Sequence, residues 1–366
     1  MSLEEQIKEI EDELQRTPHN KATNQHIGRL KAKLSRMRDE AEFRRSGGGG
    51  GRGYQVKKSG NATIGLVGFP SVGKSTLLNN ITDAESAVAA YHFTTLEVVP
   101  GILEYKGAKI QVLDMPGLIA GASRGRGRGR EVLAVARSLD LVLLMIDVFE
   151  TNLQVLVDEV MAAGIRPNQK PPEIFLAKKD RGGIVVNSTV KLTKLAEEEI
   201  VDTLNEYGIV SADVVLREDA SLDQLIDHLS GNRIYMPALV VLNKTDLVNA
   251  EYLRRLEKRL GGWKIIPISA EKRKGLEPLK SAIYNSLKFM SIYMKPPGKE
   301  ADMKEPMVVK EGSTVGMICD TIHRDIRPRF RFANVWGKSA KFPGQNVGLG
   351  HVLKDQDVLT IIARKG

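Results

Sequence analysis

Residues 62–76 read Ala-Thr-Ile-Gly-Leu-Val-Gly-Phe-Pro-Ser-Val-Gly-Lys-Ser-Thr. An apolar run leads into Gly68, then Phe69, Pro70, Ser71 and Val72, then Gly73, Lys74, Ser75 and Thr76. That order suits an oligophosphate. Glycines let the backbone curl so that successive N–H groups face an anion, and a helix opening behind them adds the positive end of its dipole. A lysine at position 74 can reach the β- and γ-phosphates, and the Ser75 hydroxyl can sit on Mg²⁺.

Three later segments specify the base and the metal. Residues 108–113 alternate and end in Asp114-Met115-Pro116-Gly117. An acid at the end of a second core strand is placed to hold Mg²⁺ through water, and the Gly117 N–H can meet a γ-phosphate oxygen. Residues 238–242 run into Asn243-Lys244-Thr245-Asp246. The Asp246 carboxylate can accept from N1–H and the 2-amino group of guanine; adenine offers neither donor, so the same site would reject it. Residues 265–268 end in Ser269-Ala270, a small turn whose backbone could read the guanine O6.

Between the loop and Asp114 stand Thr94 and Thr95; Thr95 is favoured as the switch threonine whose hydroxyl ligates Mg²⁺. His92 is a neighbour of that switch and not a ligand, since no second His or Cys stands at ligand spacing. In Ras-like enzymes a glutamine after the Asp-x-x-Gly glycine orients the attacking water. Here that position is Leu118, so hydrolysis should be slow unless a partner or a monovalent cation supplies the missing polarisation. Arg124, Arg126, Arg128 and Arg130 follow, a basic loop suited to RNA or an acidic partner, with one arginine as a finger in cis the less favoured use.

The chain has 366 residues, 42% hydrophobic and 5% aromatic, enough for two or three domains with their own cores. One cysteine excludes an internal disulfide and a cysteine-based metal site, which fits a reducing, cytoplasmic setting. The start, Met1-Ser2-Leu3-Glu4-Glu5, does not read as a signal peptide. The longest apolar stretch, 139–149, is interrupted by Asp140 and Asp147 and is too short to span a bilayer, so no membrane partner is expected. A net charge of +9 favours phosphate-rich partners without implying any DNA specificity.

These chemical groups need a parallel α/β sheet to position them, with an apolar strand ahead of each motif. Ser2 and Glu5 form a capping box, and Leu3, Ile7, Ile10 and Leu14 repeat at helical spacing. Ile27, Leu30, Leu34, Met37 and Ala41 do the same after a break at Thr17-Pro18, which predicts a helical hairpin over 1–45. Its outward face carries Lys21, Arg29, Lys31, Lys33, Arg36 and Arg38, either a solvated face or a nucleic-acid surface. Residues 46–60 are a Gly-rich basic linker. A phosphate-loop α/β domain over 61–170 and 237–290 is interrupted by 171–236, read as an inserted α+β subdomain. Residues 291–366 read as a small β-grasp module with a basic, aromatic surface suited to RNA, Phe332 and Trp336 being assigned to its core.

The residues resemble the developmentally regulated GTP-binding (DRG) branch of the Obg GTPases. The resemblance runs end to end, through KATNQHIGRLKAKL, GFPSVGKSTLL, AAYHFTTLEVVPG, YKGAKIQVLDMPGLIAGA, GRGREVLAVAR, GNRIYMP and VWGKSAKFPGQNVGL. It implies a helix-turn-helix N-terminus, a Ras-like G domain with an α+β insertion, and a C-terminal TGS domain. It also implies Mg²⁺-dependent GTP hydrolysis with an apolar residue in place of glutamine, ties to the ribosome or its RNA, and a stabilising protein partner. Ser71 stands where some potassium-stimulated relatives carry asparagine, so a K⁺ site is left open.

The resulting expectation is a slow GTP-to-GDP switch. Lys74, Thr95 and Gly117 serve the reaction; Ser75, Thr95 and Asp114 hold Mg²⁺; Asn243, Lys244, Asp246, Ser269 and Ala270 hold the base. An ATPase of similar build, an RNA-binding scaffold with a structural nucleotide, and a protein-only adaptor are the rival readings.

Overall fold

The structure is a computed structural model that describes residues 3–18, 23–45, 60–82, 91–92, 97–98, 100–115 and 135–364. The chain divides into two compact units, residues 1–54 with 164–235 and residues 55–163 with 236–366.

The second unit is built on β1 (Ala62–Gly68), β4 (Pro100–Tyr105), β5 (Ala108–Asp114), β6 (Leu141–Asp147), β12 (Ala238–Asn243) and β13 (Ile265–Pro267). They form one six-stranded sheet in the order β13-β12-β6-β1-β5-β4. All its pairings are parallel except β4 with β5. Every residue of β1, β6 and β12 is buried. Strands covered on both faces must be apolar throughout, which is why these segments read as unbroken hydrophobic runs. Inside the sheet two of the polar side chains meet, Thr63 Oγ1 donating to Gln111 Oε1 at 3.2 Å. Helices α3 (Lys74–Ile81), α4 (Leu153–Ala162), α7 (Ala250–Arg259) and α8 (Leu276–Ser286) belong to this unit. The short strands β2 (Tyr91–His92) and β3 (Glu97–Val98) pair antiparallel.

The C-terminal part of the same unit is a five-stranded sheet, β15-β14-β18-β16-β17, with β14 (Phe289–Met294), β15 (Met307–Lys310), β16 (Phe330–Trp336), β17 (Gln345–Val347) and β18 (Val358–Ala363). Helix α9 (Val315–Ile322) packs Val315, Ile318 and Cys319 into its core. Phe332 and Trp336, expected in that core, lie outside it. Ala333 and Val335 point inward, and Phe332 and Trp336 take the other face, where Lys295 Nζ lies 4.6 Å from the Trp336 ring centroid. Strand alternation forces the choice, and a register shift between Phe330 and Phe332 changes which aromatic faces in. This sheet is tied to the larger one at the N-terminal ends of β1 and β6. Asn61 Nδ2 donates to the Val308 carbonyl at 2.9 Å, and Lys310 Nζ meets Asp140 Oδ1 at 2.6 Å.

The first unit joins α1 (Leu3–Arg16) and α2 (Asn24–Arg45) to a three-stranded sheet, β8-β10-β9, of β8 (Ile174–Lys178), β9 (Ile184–Ser188) and β10 (Ala212–Leu216). The hairpin closes on Ile10, Leu30, Leu34 and Met37, the apolar stripes read from the sequence. Helices α5 (Glu197–Glu206) and α6 (Leu222–Ser230) share the sheet's core, and α2 lies against both. Much of the basic face of α2 is engaged there. Arg29 bonds Asp202 at 2.9 Å, Lys31 bonds Asp223 at 3.1 Å, and Arg36 donates to the Glu206 carbonyl. Arg38 pairs with Glu11 within the hairpin, Lys33 is exposed, and Lys21 lies outside the described residues. Among the described residues no helix is long and apolar enough to cross a membrane.

Strands β7 (Ile165–Pro167) and β11 (Ile234–Met236) close this unit, and beside them sits a buried ion cluster. Asp227 receives Arg166 through both oxygens, at 2.5 and 2.6 Å, and Arg233 at 3.0 Å. Removing the acid leaves the buried Arg166 and the partly buried Arg233 guanidinium groups without their counter-ion. Asp227→Ala is expected to cost about 3–5 kcal/mol of unfolding free energy in urea denaturation. A loss under about 1 kcal/mol, the range of an exposed pair, would contradict this account of the cluster.

Candidate functional site

Strands β1, β5, β6, β12 and β13 run parallel, so their C-terminal ends share one edge of the sheet. In open α/β sheets that edge is where ligands bind. It collects Gly68, Asp114, Asp147 and Asn243 as last strand residues, with Ser269 and Ala270 just beyond β13.

The phosphate-type loop is shaped by close approach. A Cβ on Gly68 would fall 2.4 Å from the Met145 carbonyl oxygen on β6. Gly73 has φ +94°, and a Cβ there would sit 2.5 Å from Asn243 Nδ2. Ser71 also adopts a positive φ, 63°, at an exposed position. Gly73 caps α3 without any side-chain acceptor, so the first-turn N–H groups of Lys74, Ser75 and Thr76 open the helix uncapped by a side chain. The Lys74 ammonium is held across the loop by the carbonyls of Gly68 and Phe69, each at 3.0 Å. Burial pushes its pKa down, and the Asp114 charge partly restores it.

Asn243 occupies the centre of the site. Its Nδ2 donates to the Val72 carbonyl at 2.8 Å, and its Oδ1 accepts from the Ala270 N–H at 2.9 Å. One buried amide thus ties the phosphate-type loop to the Ser269-Ala270 turn. That turn is fixed again by Asn80 of α3, whose Nδ2 donates to the Ala270 carbonyl at 3.0 Å. Thr245 binds the Ile268 carbonyl through both its N–H and its hydroxyl, at 3.1 and 2.8 Å. Asp246 is exposed, and a hydrogen bond from the Ser269 hydroxyl, aided by the nearby Lys272 and Lys274, holds its carboxyl below the usual range.

Lys244 takes the left-handed conformation, φ 60°, and its ammonium meets Asp147 Oδ2 at 2.5 Å. Burial would raise the Asp147 carboxyl. The Lys244 ammonium and the Glu150 and Phe149 N–H groups outweigh it and hold the pKa low. In the sequence Asp147 stands out only as an interruption of an apolar stretch. The available signal was its place, an acid ending a buried strand at the ligand-binding edge.

Asp114 ends β5 and is 9% exposed. Its Oδ1 is buried with no hydrogen-bond partner among the described residues. Burial raises its pKa, against the lowering effect of Lys74 and the Met115 N–H. A buried carboxylate oxygen lacking a donor, with the Ser75 hydroxyl exposed on the first turn of α3, fits the hard-oxygen donor set of Mg²⁺. Thr94, Thr95, Gly117, Leu118 and the arginines at 124, 126, 128 and 130 lie outside the described residues.

The raised Asp114 pKa fixes the sign of a pH effect. The unfolded carboxyl ionises at lower pH, so between the two values the folded protein binds more protons and stability falls as pH rises. Above both, the full cost of burying the ionised carboxyl, with Oδ1 lacking a donor, is present. Asp114→Asn should therefore raise the Tm of the magnesium-free, nucleotide-free protein at neutral pH while abolishing any Mg²⁺-dependent rise with nucleotide. A lower Tm with the Mg²⁺ response intact would contradict both halves.

Comparison with known proteins agrees with this geometry. A profile described as 50S ribosome-binding GTPase matches residues 63–179, the C-terminal region of the same domain matches 181–289, and a TGS domain matches 290–363. An uncharacterised GTP-binding protein of Methanocaldococcus jannaschii is 55% identical, covering 100% of this chain and 94% of its own. Developmentally-regulated GTP-binding protein 1 of Xenopus laevis is 45% identical, covering 98% of each chain. Ribosome-interacting GTPase 1 of Saccharomyces cerevisiae is 45% identical, covering 98% of this chain and 99% of its own. The chain belongs to this family of GTP-binding proteins, which join a GTPase domain of the ribosome-binding type to a C-terminal TGS domain.

Proposed function

We propose that the chain is a slow, Mg²⁺-dependent GTPase of the developmentally regulated branch, cytoplasmic, acting as a switch on the ribosome or its RNA. The observation that carries this reading is the double hydrogen bond of Asn243, which sets a phosphate-type loop and a purine-reading turn at one fixed spacing. Lys74 and the loop N–H groups of 71–76 neutralise phosphate charge. Asp246, kept ionised beside Ser269, takes the two guanine donors, and Lys244 flanks the base. Ser75, Thr95 and Asp114 hold Mg²⁺, which when bound spreads positive charge over the β- and γ-phosphates. Gly117 reports the γ-phosphate. Catalysis rests on positioning and electrostatics, and Leu118 in place of a water-orienting glutamine makes it slow.

The ribosomal part of the reading draws on the name of the yeast relative and on the chain's charge of +9. A stabilising protein partner and a K⁺ requirement belong to the same reading.

Single-turnover phosphate release from GTP and ATP tests it, with Lys74→Ala as control, with and without K⁺ and ribosomes. Release from GTP that is lost in Lys74→Ala and absent with ATP is expected. Equal competition by ATP would overturn the role given to Asp246, and no release under any condition would reduce the nucleotide to a structural one. Asp246→Asn should shift preference toward xanthine nucleotides, whose 2-oxo group matches an amide donor. Ribosome co-sedimentation should differ between GDP and a non-hydrolysable GTP analogue and fall steeply with salt.

A further inference from the structure

Strand β6 ends beside β12, and Asp147 pairs in register with Asn243, the residue before Lys244. The Val148 N–H donates to the Asn243 carbonyl at 3.3 Å, which ties the two strand ends together. Asp147 divides its oxygens between two tasks. Oδ1 accepts from the N–H groups of Phe149 and Glu150, at 2.9 and 2.7 Å, which fixes the carboxylate in the turn. Oδ2 faces the Lys244 ammonium at 2.5 Å. The acid side chain is only 6% exposed, while that of Lys244 is 32% exposed. The lysine therefore has an anchored head on a side chain that is partly exposed.

We propose that Asp147 is a positioning residue for purine binding: by pinning the Lys244 ammonium, it sets the methylene stem of Lys244 as an apolar ledge for the flat face of the base. The inference rests on the guanine-nucleotide reading above and adds to it the group that orients one wall of the base site. A lysine stem offers apolar surface only where its charged end has somewhere polar to go. Asp147 provides that place inside the protein, so the stem need not swing toward water. Lys244's left-handed backbone sends the chain on toward Asp246. Asp147 thereby acts on the same loop that carries the guanine-selecting carboxylate, without touching the nucleotide itself.

The test is displacement of a fluorescent GDP analogue by unlabelled GDP and by inosine diphosphate, which lacks the 2-amino group. It is run on the wild-type protein, Asp147→Asn, Lys244→Met and the double variant. Asparagine keeps an oxygen for the Phe149 and Glu150 N–H groups and puts an uncharged N–H donor, in place of the carboxylate oxygen, in front of Lys244. Asp147→Asn is expected to weaken GDP and inosine diphosphate alike by about tenfold or more, the scale of a lost charge-assisted hydrogen bond. The ratio of the two affinities should stay at its wild-type value, because Asp246 is untouched. The double variant should bind no more weakly than Lys244→Met, because Asp147 acts through that lysine. A fall in Tm alone, with affinity unchanged, would make Asp147 purely structural and overturn the inference. Additive losses in the double variant would overturn it as well. Should Asp147→Asn fail to fold, Lys244→Met removes the same contact from the other side, and unchanged GDP affinity there is equally fatal. Failure of the wild-type protein to bind GDP would instead remove the guanine-nucleotide reading itself.

Discussion

A single buried carboxamide sets the spacing of this site. Asn243 gives its N–H to the loop after β1 and takes an N–H from the turn after β13, and it is 3% exposed. Both bonds lie where water cannot replace them, so losing either leaves a buried group unsatisfied. Gly73 has no side chain because that amide lies where its Cβ would be. The loop's glycine and the asparagine of a distant motif are thus one steric unit, although 170 positions separate them in sequence.

The sheet places this unit and also fixes what lies at its other end. Strand β6 is buried along its whole length. Asp140, just before it, binds Lys310 of the C-terminal sheet, and Asp147, its last residue, binds Lys244 at the site. A strand that is apolar throughout and acidic at both ends reads as a failed membrane segment in one dimension. In three dimensions it is a rigid rod with an ion pair at each tip.

Much of the site was legible in sequence because each motif follows an apolar strand, and parallel strands bring their C-terminal ends to one edge. Gly68, Lys74, Asp114, Asn243 and Ser269 fall on that edge for this reason. What sequence could not yield were partnerships decided by distance in the chain. The basic face of α2 read equally as a solvated surface or a nucleic-acid one. Arg29 and Lys31 instead meet Asp202 and Asp223, more than 150 positions away. Phe332 and Trp336 looked like core because aromatics usually are. The register shift near Phe330 and the two-residue alternation of β16 gave the interior to Ala333 and Val335. Asp147 was visible as a residue and invisible as a partner of Lys244, since nothing in β6 names the loop that follows β12.

If phosphate loop and base turn form one guanine-nucleotide pocket through Asn243, breaking its two hydrogen bonds must weaken nucleotide binding. Isothermal titration calorimetry of nucleotide-stripped, magnesium-supplemented protein with GDP, beside Asn243→Ala, tests it most directly. Single-site heat in the unmodified chain and an affinity at least about tenfold weaker in the variant are predicted. Absence of heat in the unmodified chain, or equal affinity in the two, would contradict it.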